Sequence, residues 1–288
     1  LPAGARVRLA AGLRWDAIEE DFAGPARSPS HEAWSPRLGA TLRLGRDGAA
    51  TPVVHLQLAR AFKAPTVDQL FDPRPFPDFA GGTFTLSNPA LQPQRAASAE
   101  VGIGRTAAAG RWQVVGYRIE VENEIDFDPA TFRFVNLGGS LHRGVEADAA
   151  WRPGGRWSAA LGYAWTRVEP RGGEHRGRQL KNIPRHRARL ALDRELPRDA
   201  RLAAAWTWTG RRFLDDANRV PLPSAGALDL RLARSFGRTR LRLDLLNAFD
   251  RRFAEVGYVL PDLASGGEVP YALPAPGRAL RVGFDWDF

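Results

Sequence analysis

The sequence predicts an all-β protein, an antiparallel up-and-down barrel that crosses a membrane with its strands. Three observations predict it. Apolar and polar residues alternate with a two-residue period from end to end, connections alternate between short and long, and aromatic residues gather at both ends of the alternating segments.

Near the start, Val7, Leu9, Ala11, Leu13 and Trp15 alternate with Arg6, Arg8, Gly12, Arg14 and Asp16. Further on, Val145, Ala147, Ala149 and Trp151 alternate with Gly144, Glu146, Asp148 and Ala150. Trp157, Ala159, Leu161, Tyr163 and Trp165 then share one face of the next segment. Leu228, Leu230, Leu232 and Phe236 oppose Asp229 and Arg231, and Leu241, Leu243 and Leu245 oppose Arg240, Arg242 and Asp244. At the end, Leu280, Val282, Phe284, Trp286 and Phe288 oppose Arg281, Gly283, Asp285 and Asp287. Strict alternation is the mark of a strand with two unlike faces. About twelve such segments of roughly ten residues run along the chain, the length a tilted strand needs to cross a bilayer.

A soluble sandwich also alternates, and the connections separate the two. Read backward from Phe288, they run long at 249–277, short at 237–238, long at 211–225, short at 196–199, long at 168–186 and short at 152–155. The rhythm continues with 124–141 long, 107–110 short, 62–95 long, 46–51 fairly short and 17–34 long. Outer-membrane barrels have short periplasmic turns and longer extracellular loops, whereas a Greek-key sandwich has no reason to keep such a rhythm. The short connections also carry turn residues, as in Arg152-Pro153-Gly154-Gly155 and Pro197-Arg198-Asp199.

Trp157 and Trp165 lie on one face eight residues apart. At about 3.3 Å per residue and a tilt near 40°, that separates them by roughly 20 Å along the membrane normal, close to the height of an apolar band. Trp151, Trp157, Phe236, Trp286 and Phe288 then fall at the short-turn end, and Trp15, Trp34, Trp165, Trp206 and Trp208 at the long-loop end. These are two aromatic girdles. An Arg or Asp facing hydrocarbon near the midplane costs up to about 2 to 4 kcal/mol, so the polar face must line the lumen.

Composition closes other routes. With 44% hydrophobic residues but a mean hydropathy of −0.33, the chain is too polar for membrane helices, and no apolar run approaches the roughly 18 residues a spanning helix needs. There are no cysteines, which excludes disulfides and thiolate metal sites. The chain opens Leu1-Pro2-Ala3-Gly4 without Met or the features of an export signal, so a signal is expected upstream. A net charge of +9 raises nucleic acid as a partner, but Lys63 and Lys181 are the only lysines and the arginines are scattered at alternate strand positions. Without a binding motif or a basic run, no nucleic-acid partner is expected.

Several motifs occur in order. Arg60-Ala61-Phe62-Lys63-Ala64-Pro65-Thr66 precedes Gln69-Leu70-Phe71, and Asn88-Pro89-Ala90-Leu91-Gln92-Pro93 precedes Glu100-Val101-Gly102. Asn136-Leu137-Gly138 and Gly144-Val145-Glu146 follow, then Asn182-Ile183-Pro184-Arg185-His186, and Asp215-Asp216 with Asn218. Leu246-Asn247-Ala248-Phe249-Asp250-Arg251-Arg252-Phe253 and Pro276-Gly277-Arg278 complete the set. This succession resembles the FRAP-type and NPxL boxes and later motifs of TonB-dependent receptors, over most of the chain from about residue 55. Gln94 stands where the family usually has Glu, and Ala248 where its NLFD-like motif has Leu. Many of these residues have simple architectural roles: Pro65, Pro89 and Pro93 fix loop geometry, Gly102 and Gly144 relieve crowding on the lumen face, and Asn247 stabilises a strand end.

The resemblance implies a 22-stranded barrel around an N-terminal plug in the bacterial outer membrane. It further implies uptake of a scarce solute, a ferric siderophore or cobalamin-like compound, with energy delivered by TonB. Residues 1–288 would then be the C-terminal portion of that barrel, with the signal peptide, plug and N-terminal strands missing. Expected partners are outer-membrane lipid and lipopolysaccharide, the TonB complex through the missing plug, the barrel-assembly machinery, and a small metal chelate or vitamin. By the same resemblance, Phe288 looks like the terminal aromatic that the assembly machinery reads. Haem receptors of the family typically carry a His between the two boxes; residues 66–87 contain none, which disfavours haem.

Enzyme signatures are missing from the sequence. There is no GxSxG elbow, His31-Glu32 lacks a second His four residues on, and Gly102-Ile103-Gly104-Arg105-Thr106-Ala107 is not followed by a helix pattern. His31, His55, His142, His175 and His186 are dispersed, and no resident cofactor is expected. Asp215, Asp216 and Asn218 place three oxygen side chains within four positions, a candidate calcium site or a solvated turn. Arg74, Phe76, Phe79 and Phe84 in the 62–95 connection are candidates for substrate contact, or for packing that loop onto its neighbours. Basic loops suit either an anionic chelate or the lipopolysaccharide surface. The rival functions are a passive porin or adhesin barrel, and an outer-membrane hydrolase.

Overall fold

The computed structural model describes residues 6–19, 30–45, 50–77, 82–128, 131–152, 154–262 and 266–286. Its wall is one sheet of twelve antiparallel strands, each paired with the next in chain order. They are β1 (Val7–Glu19), β2 (Ser30–Arg43), β3 (Val53–Lys63), β6 (Gln94–Ala107), β7 (Gly110–Asp128) and β8 (Arg133–Trp151), then β9 (Trp157–Pro170), β10 (His186–Leu196), β11 (Ala200–Thr209), β14 (Ala225–Phe236), β15 (Thr239–Leu246) and β18 (Ala279–Trp286). The numbers skipped belong to the long connections. One helix, α1 (Val67–Phe71), and three hairpins lie there: β4 (Phe76–Pro77) with β5 (Thr83–Phe84), β12 (Arg212–Phe213) with β13 (Pro221–Leu222), and β16 (Ala254–Asp262) with β17 (Gly267–Pro274). Among the described residues β1 and β18 do not pair, so the sheet has two open edges.

Register carries the alternation across the sheet. Val101, Gly116, Val145 and Trp165 sit directly opposite one another in turn, and Leu202, Leu232 and Leu243 do the same. The apolar face is open: Leu9 is 75% exposed and Val282 76%. Fully buried apolar residues lie elsewhere, chiefly Leu70, Leu91, Leu180, Leu214 and Leu222 in the long connections, with Val121 and Val168 high on β7 and β9. Among the described residues no buried apolar layer backs the wall, whose apolar face is left open.

The other face is ionic. Arg14 pairs with Asp16 at 2.8 Å, Arg201 with Asp193 at 2.8 Å, and Asp244 lies between Arg231 at 2.5 Å and Arg242 at 3.3 Å. Arg37 donates to Gln57 at 2.6 Å. Two glycines make room on this face. A Cβ at Gly102 would enter the His55 ring, and one at Gly144 would meet the Tyr117 hydroxyl at 2.6 Å.

The expected girdles are present. Trp15 and Trp34 face each other at 6.2 Å at the long-loop end, and Trp151, Trp157, Phe236 and Trp286 are exposed at the other, joined by Trp112. Outward arginines at the short-turn rim lie on these rings, Arg194 at 4.8 Å from the Trp157 centroid and Arg234 at 4.4 Å from that of Phe236. Their stems cover apolar surface while the charges stay at the interface.

One connection differs from expectation. Residues 124–141, expected as a long loop, are mostly paired strand: Glu124 opposes Leu137 and Asp128 opposes Arg133. The charged residues Glu124, Asp126 and Asp128 look like a loop because a strand that continues past the membrane rim into water no longer needs apolar residues on its outer face.

Candidate functional site

The long connections form a cap, and its pieces are tied together by side chains on backbone. Thr66 and Gln69 form a capping box at the start of α1, whose Leu70 is completely buried. Ser87 donates to the Asp72 carbonyl at 3.0 Å, and Asn88 Nδ2 donates to the Phe134 carbonyl at 2.9 Å. Asn136 binds Gln92 reciprocally, accepting from its N–H at 2.7 Å and donating to its carbonyl at 2.9 Å. The NPxL-type segment is thereby docked on the β7–β8 hairpin.

The same device joins the C-terminal connections. Asn182 Nδ2 donates to the Gly257 carbonyl at 2.7 Å and its Oδ1 accepts the Gly257 N–H at 3.1 Å. A side chain at Gly257 would strike the Tyr271 carbonyl and the Ala272 Cα, so only glycine fits beside β17. Asn247, in the left-handed region at φ 45°, accepts from the Arg251 N–H and donates to the Arg251 and Pro276 carbonyls. Asp250 accepts the Arg278 N–H at 2.8 Å.

Of the candidate contact residues, Phe76 and Phe84 come together, stacked at 6.0 Å across the β4–β5 hairpin. Phe84 continues to Phe132 at 5.5 Å, and Phe127 meets Phe132 at 6.3 Å and Phe134 at 5.9 Å. The cluster therefore includes three β7–β8 aromatics that sequence reasoning missed, because that segment was assigned to a loop. Arg74 stands apart, largely exposed and bidentate on Asp72 with Nε–Oδ1 at 2.8 Å and Nη2–Oδ2 at 2.5 Å. The Arg74 side chain and backbone N–H hold the Asp72 carboxyl down at about 2. Phe79 and Phe288 lie outside the described residues.

The Asp215, Asp216 and Asn218 oxygens all have protein partners. Asp215 accepts from the Arg219 and Val220 N–H groups at 3.0 and 2.9 Å, and from the Arg219 guanidinium. Asp216 accepts from the Lys181 N–H and Nζ, and Asn218 Oδ1 accepts from the Gln179 N–H. Lys181 also reaches Asp126 at 2.5 Å. Burial opposes its charge, but Asp126 and Asp216 outweigh burial and raise its pKa. Among the described residues no group of three or more His, Cys, Asp or Glu is placed to hold a metal.

A serine, histidine and glutamate do converge. Ser140 Oγ lies 2.9 Å from His142 Nε2, and Glu124 lies 3.6 Å from that same nitrogen. A hydrolase relay needs the acid on the opposite ring nitrogen and an accessible nucleophile. Here both groups compete for one nitrogen and Ser140 is buried, so the trio is a structural tie.

Above the girdle the outer face turns cationic. Arg118, Arg143 and Arg167 sit directly opposite one another on β7, β8 and β9, one outward position beyond the Gly116–Val145–Trp165 row. Glu169 bridges Arg143 at 2.9 Å and Arg167 at 2.8 Å, and Glu120 bridges Arg118 at 2.6 Å and Arg171 at 2.9 Å.

Known proteins share this architecture. A family model described as TonB dependent receptor-like, beta-barrel, matches residues 1–248. The chain is 33% identical over 95 residues to the vitamin B12 transporter BtuB of Vibrio cholerae serotype O1, a stretch covering 33% of this chain and 14% of that protein. Its fold matches the copper transporter OprC with a TM-score of 0.73 at 18% identity, over 99% of this chain and 46% of that one. It matches the ferric yersiniabactin uptake receptor FyuA from Yersinia pestis with a TM-score of 0.71 at 18% identity, over 98% of this chain and 43% of that one. The chain thus spans less than half the length of these solved structures.

Proposed function

This chain belongs to the TonB-dependent receptor β-barrel family of the bacterial outer membrane, and from that premise we propose that the complete protein takes up a scarce solute, a ferric siderophore or cobalamin-like compound, with energy from TonB. The observation that carries the proposal is the family match over residues 1–248. The cap supports it, since its motif residues spend their hydrogen bonds fixing loops above the lumen. The family and the solved structures of this fold are receptors and transporters, not enzymes.

In this proposal further strands close the sheet between β18 and β1, because unpaired edges in hydrocarbon are strongly disfavoured. A plug, recruited by TonB, fills the lumen. Phe76, Phe84 and Phe132 offer the solute an aromatic contact, with Arg74 and Phe79 as further candidates for binding it. Outside, the Arg118–Arg143–Arg167 row meets lipopolysaccharide phosphates while the Val145–Trp165 level meets acyl chains. Phe288 serves as the assembly signal.

The test is uptake of radiolabelled ferric siderophores and cobalamin by cells carrying the full-length gene as their only receptor. Uptake that stops when TonB is deleted is the expected result. Uptake indifferent to TonB, with a steady open conductance from the purified protein in planar bilayers, would favour a passive porin.

A further inference from the structure

At the extracellular end of the wall, a recess of about 310 Å³ lies between the lumen face of β10, β11 and β14 and the overhanging connections. Arg187, Thr207 and Thr209 line it from the wall, and Asn182, Arg212 and Glu255 from above. Arg187 sits directly opposite Thr209, so the guanidinium and a hydroxyl stand on adjacent strands at one level.

Arg212 is 4% exposed. Its Nη2 donates to the Ala254 carbonyl at 2.8 Å and to the Glu255 carbonyl, while its Nη1 is buried without a hydrogen-bond partner. A buried guanidinium with an idle N–H group is costly unless something else accepts from it. Among the described residues Arg187 makes no ion pair, whereas on the same face Arg201 pairs with Asp193 and Arg231 with Asp244. Glu255 is the sole acid of the lining, and its carboxylate is bridged to neither arginine. Burial, and then the charge of Arg187, push the Arg212 pKa down, which reports two cations close enough to repel. Two guanidinia against one acid leave the recess with a net positive charge. The planar forks and the threonine hydroxyls suit a planar carboxylate.

We propose that this recess is a carboxylate-binding subsite that holds an acidic group of the arriving solute. The idea rests on the uptake function above and narrows its substrate class to carboxylate-bearing chelates. Size agrees, because about 300 Å³ is the lower end of small-ligand pockets and suits one acidic arm better than a whole chelate.

The experiment uses the full-length receptor in detergent micelles, with metal-free citrate as the probe and inorganic phosphate and chloride at matched ionic strength as comparisons. Phenylglyoxal modification of Arg187 is followed by peptide mass spectrometry, and citrate affinity by calorimetry. Citrate is expected to slow modification of Arg187, with phosphate and chloride leaving it nearly unchanged. Arg187→Gln, at a side chain with no structural partner, is expected to weaken citrate binding about tenfold or more. Arg187→Lys should recover only part of that loss, since it lacks the fork. The proposal is overturned if citrate gives no protection, if phosphate or chloride protects equally, or if Arg187→Gln binds citrate like the wild type. Solute uptake by the same receptor separates the two claims. TonB-dependent uptake without citrate binding sinks the subsite alone, and citrate binding without TonB-dependent uptake sinks the transport proposal alone.

Discussion

The wall and the cap of this molecule are built on opposite principles. In the wall, leucines and tryptophans face outward in the open and charged side chains pair on the inner face. In the cap, leucines are buried, and asparagine, glutamine and arginine side chains satisfy loop carbonyls. The difference teaches where stability resides. The wall draws it from a ladder of backbone hydrogen bonds with its apolar face left open, the cap from packing and specific polar ties, as a small soluble domain does.

Truncating a buried cap leucine should have the largest effect. Leu70→Ala removes a fully buried side chain and is expected to lower the local opening free energy of α1 by about 2 to 5 kcal/mol. Amide exchange at Leu70 and Asp72, which donate to Thr66 and Asp68, reads this directly. Heat-modifiability of the barrel on gels should not change, and a shift there would break the separation of the two regions.

Halfway along β15, Leu243→Arg places a charge on the lipid face at an expected cost of about 2 to 4 kcal/mol in reversible folding into vesicles. Exchange in the cap should be unaltered. Asn182→Ala, which deletes both ties to Gly257, is expected to cost about 1 to 3 kcal/mol, read as faster proteolysis within 254–274.

The smallest effect is a pH response confined to the cap. Burial raises the Asp215 pKa, but the Val220 and Arg219 N–H groups and the Arg219 guanidinium outweigh it, so the net shift is downward. A depressed carboxyl stabilises the fold above its unfolded pKa, and that contribution is lost as pH falls through the folded value. Protection of the Arg219 and Val220 amides should therefore persist down to about pH 4 and fade below it. In Asp215→Asn the acid step should vanish.

How much of this was legible in the sequence follows the same division. The strands of the wall could be read residue by residue, because alternation is a local signal and Leu241, Leu243 and Leu245 announce their face within five positions. Past the rim the signal lapses, and the paired arms of β7 and β8 beyond residue 124 looked like loop. The cap was legible only as motifs. Asn182 is conspicuous in the sequence, but its partner Gly257 lies 75 residues away, and no local pattern connects them. Phe76 and Phe84 were legible as candidates, whereas Phe127, Phe132 and Phe134 were hidden in the misassigned arms. Arg187 and Arg212 carry no motif at all, and only the fold brings them to one recess.

These 288 residues hold no cysteine, so a single cysteine placed among them competes with none in this stretch. The most direct measurement is a cysteine scan of residues 240–245 in the full-length receptor in vesicles, read by a water-soluble maleimide and by quenching of an attached fluorophore with brominated lipid. Positions 241, 243 and 245 should be quenched by lipid and slow to label, and positions 240, 242 and 244 should show the reverse. Loss of that alternation, or its inversion, would contradict a wall that turns its leucines to the membrane.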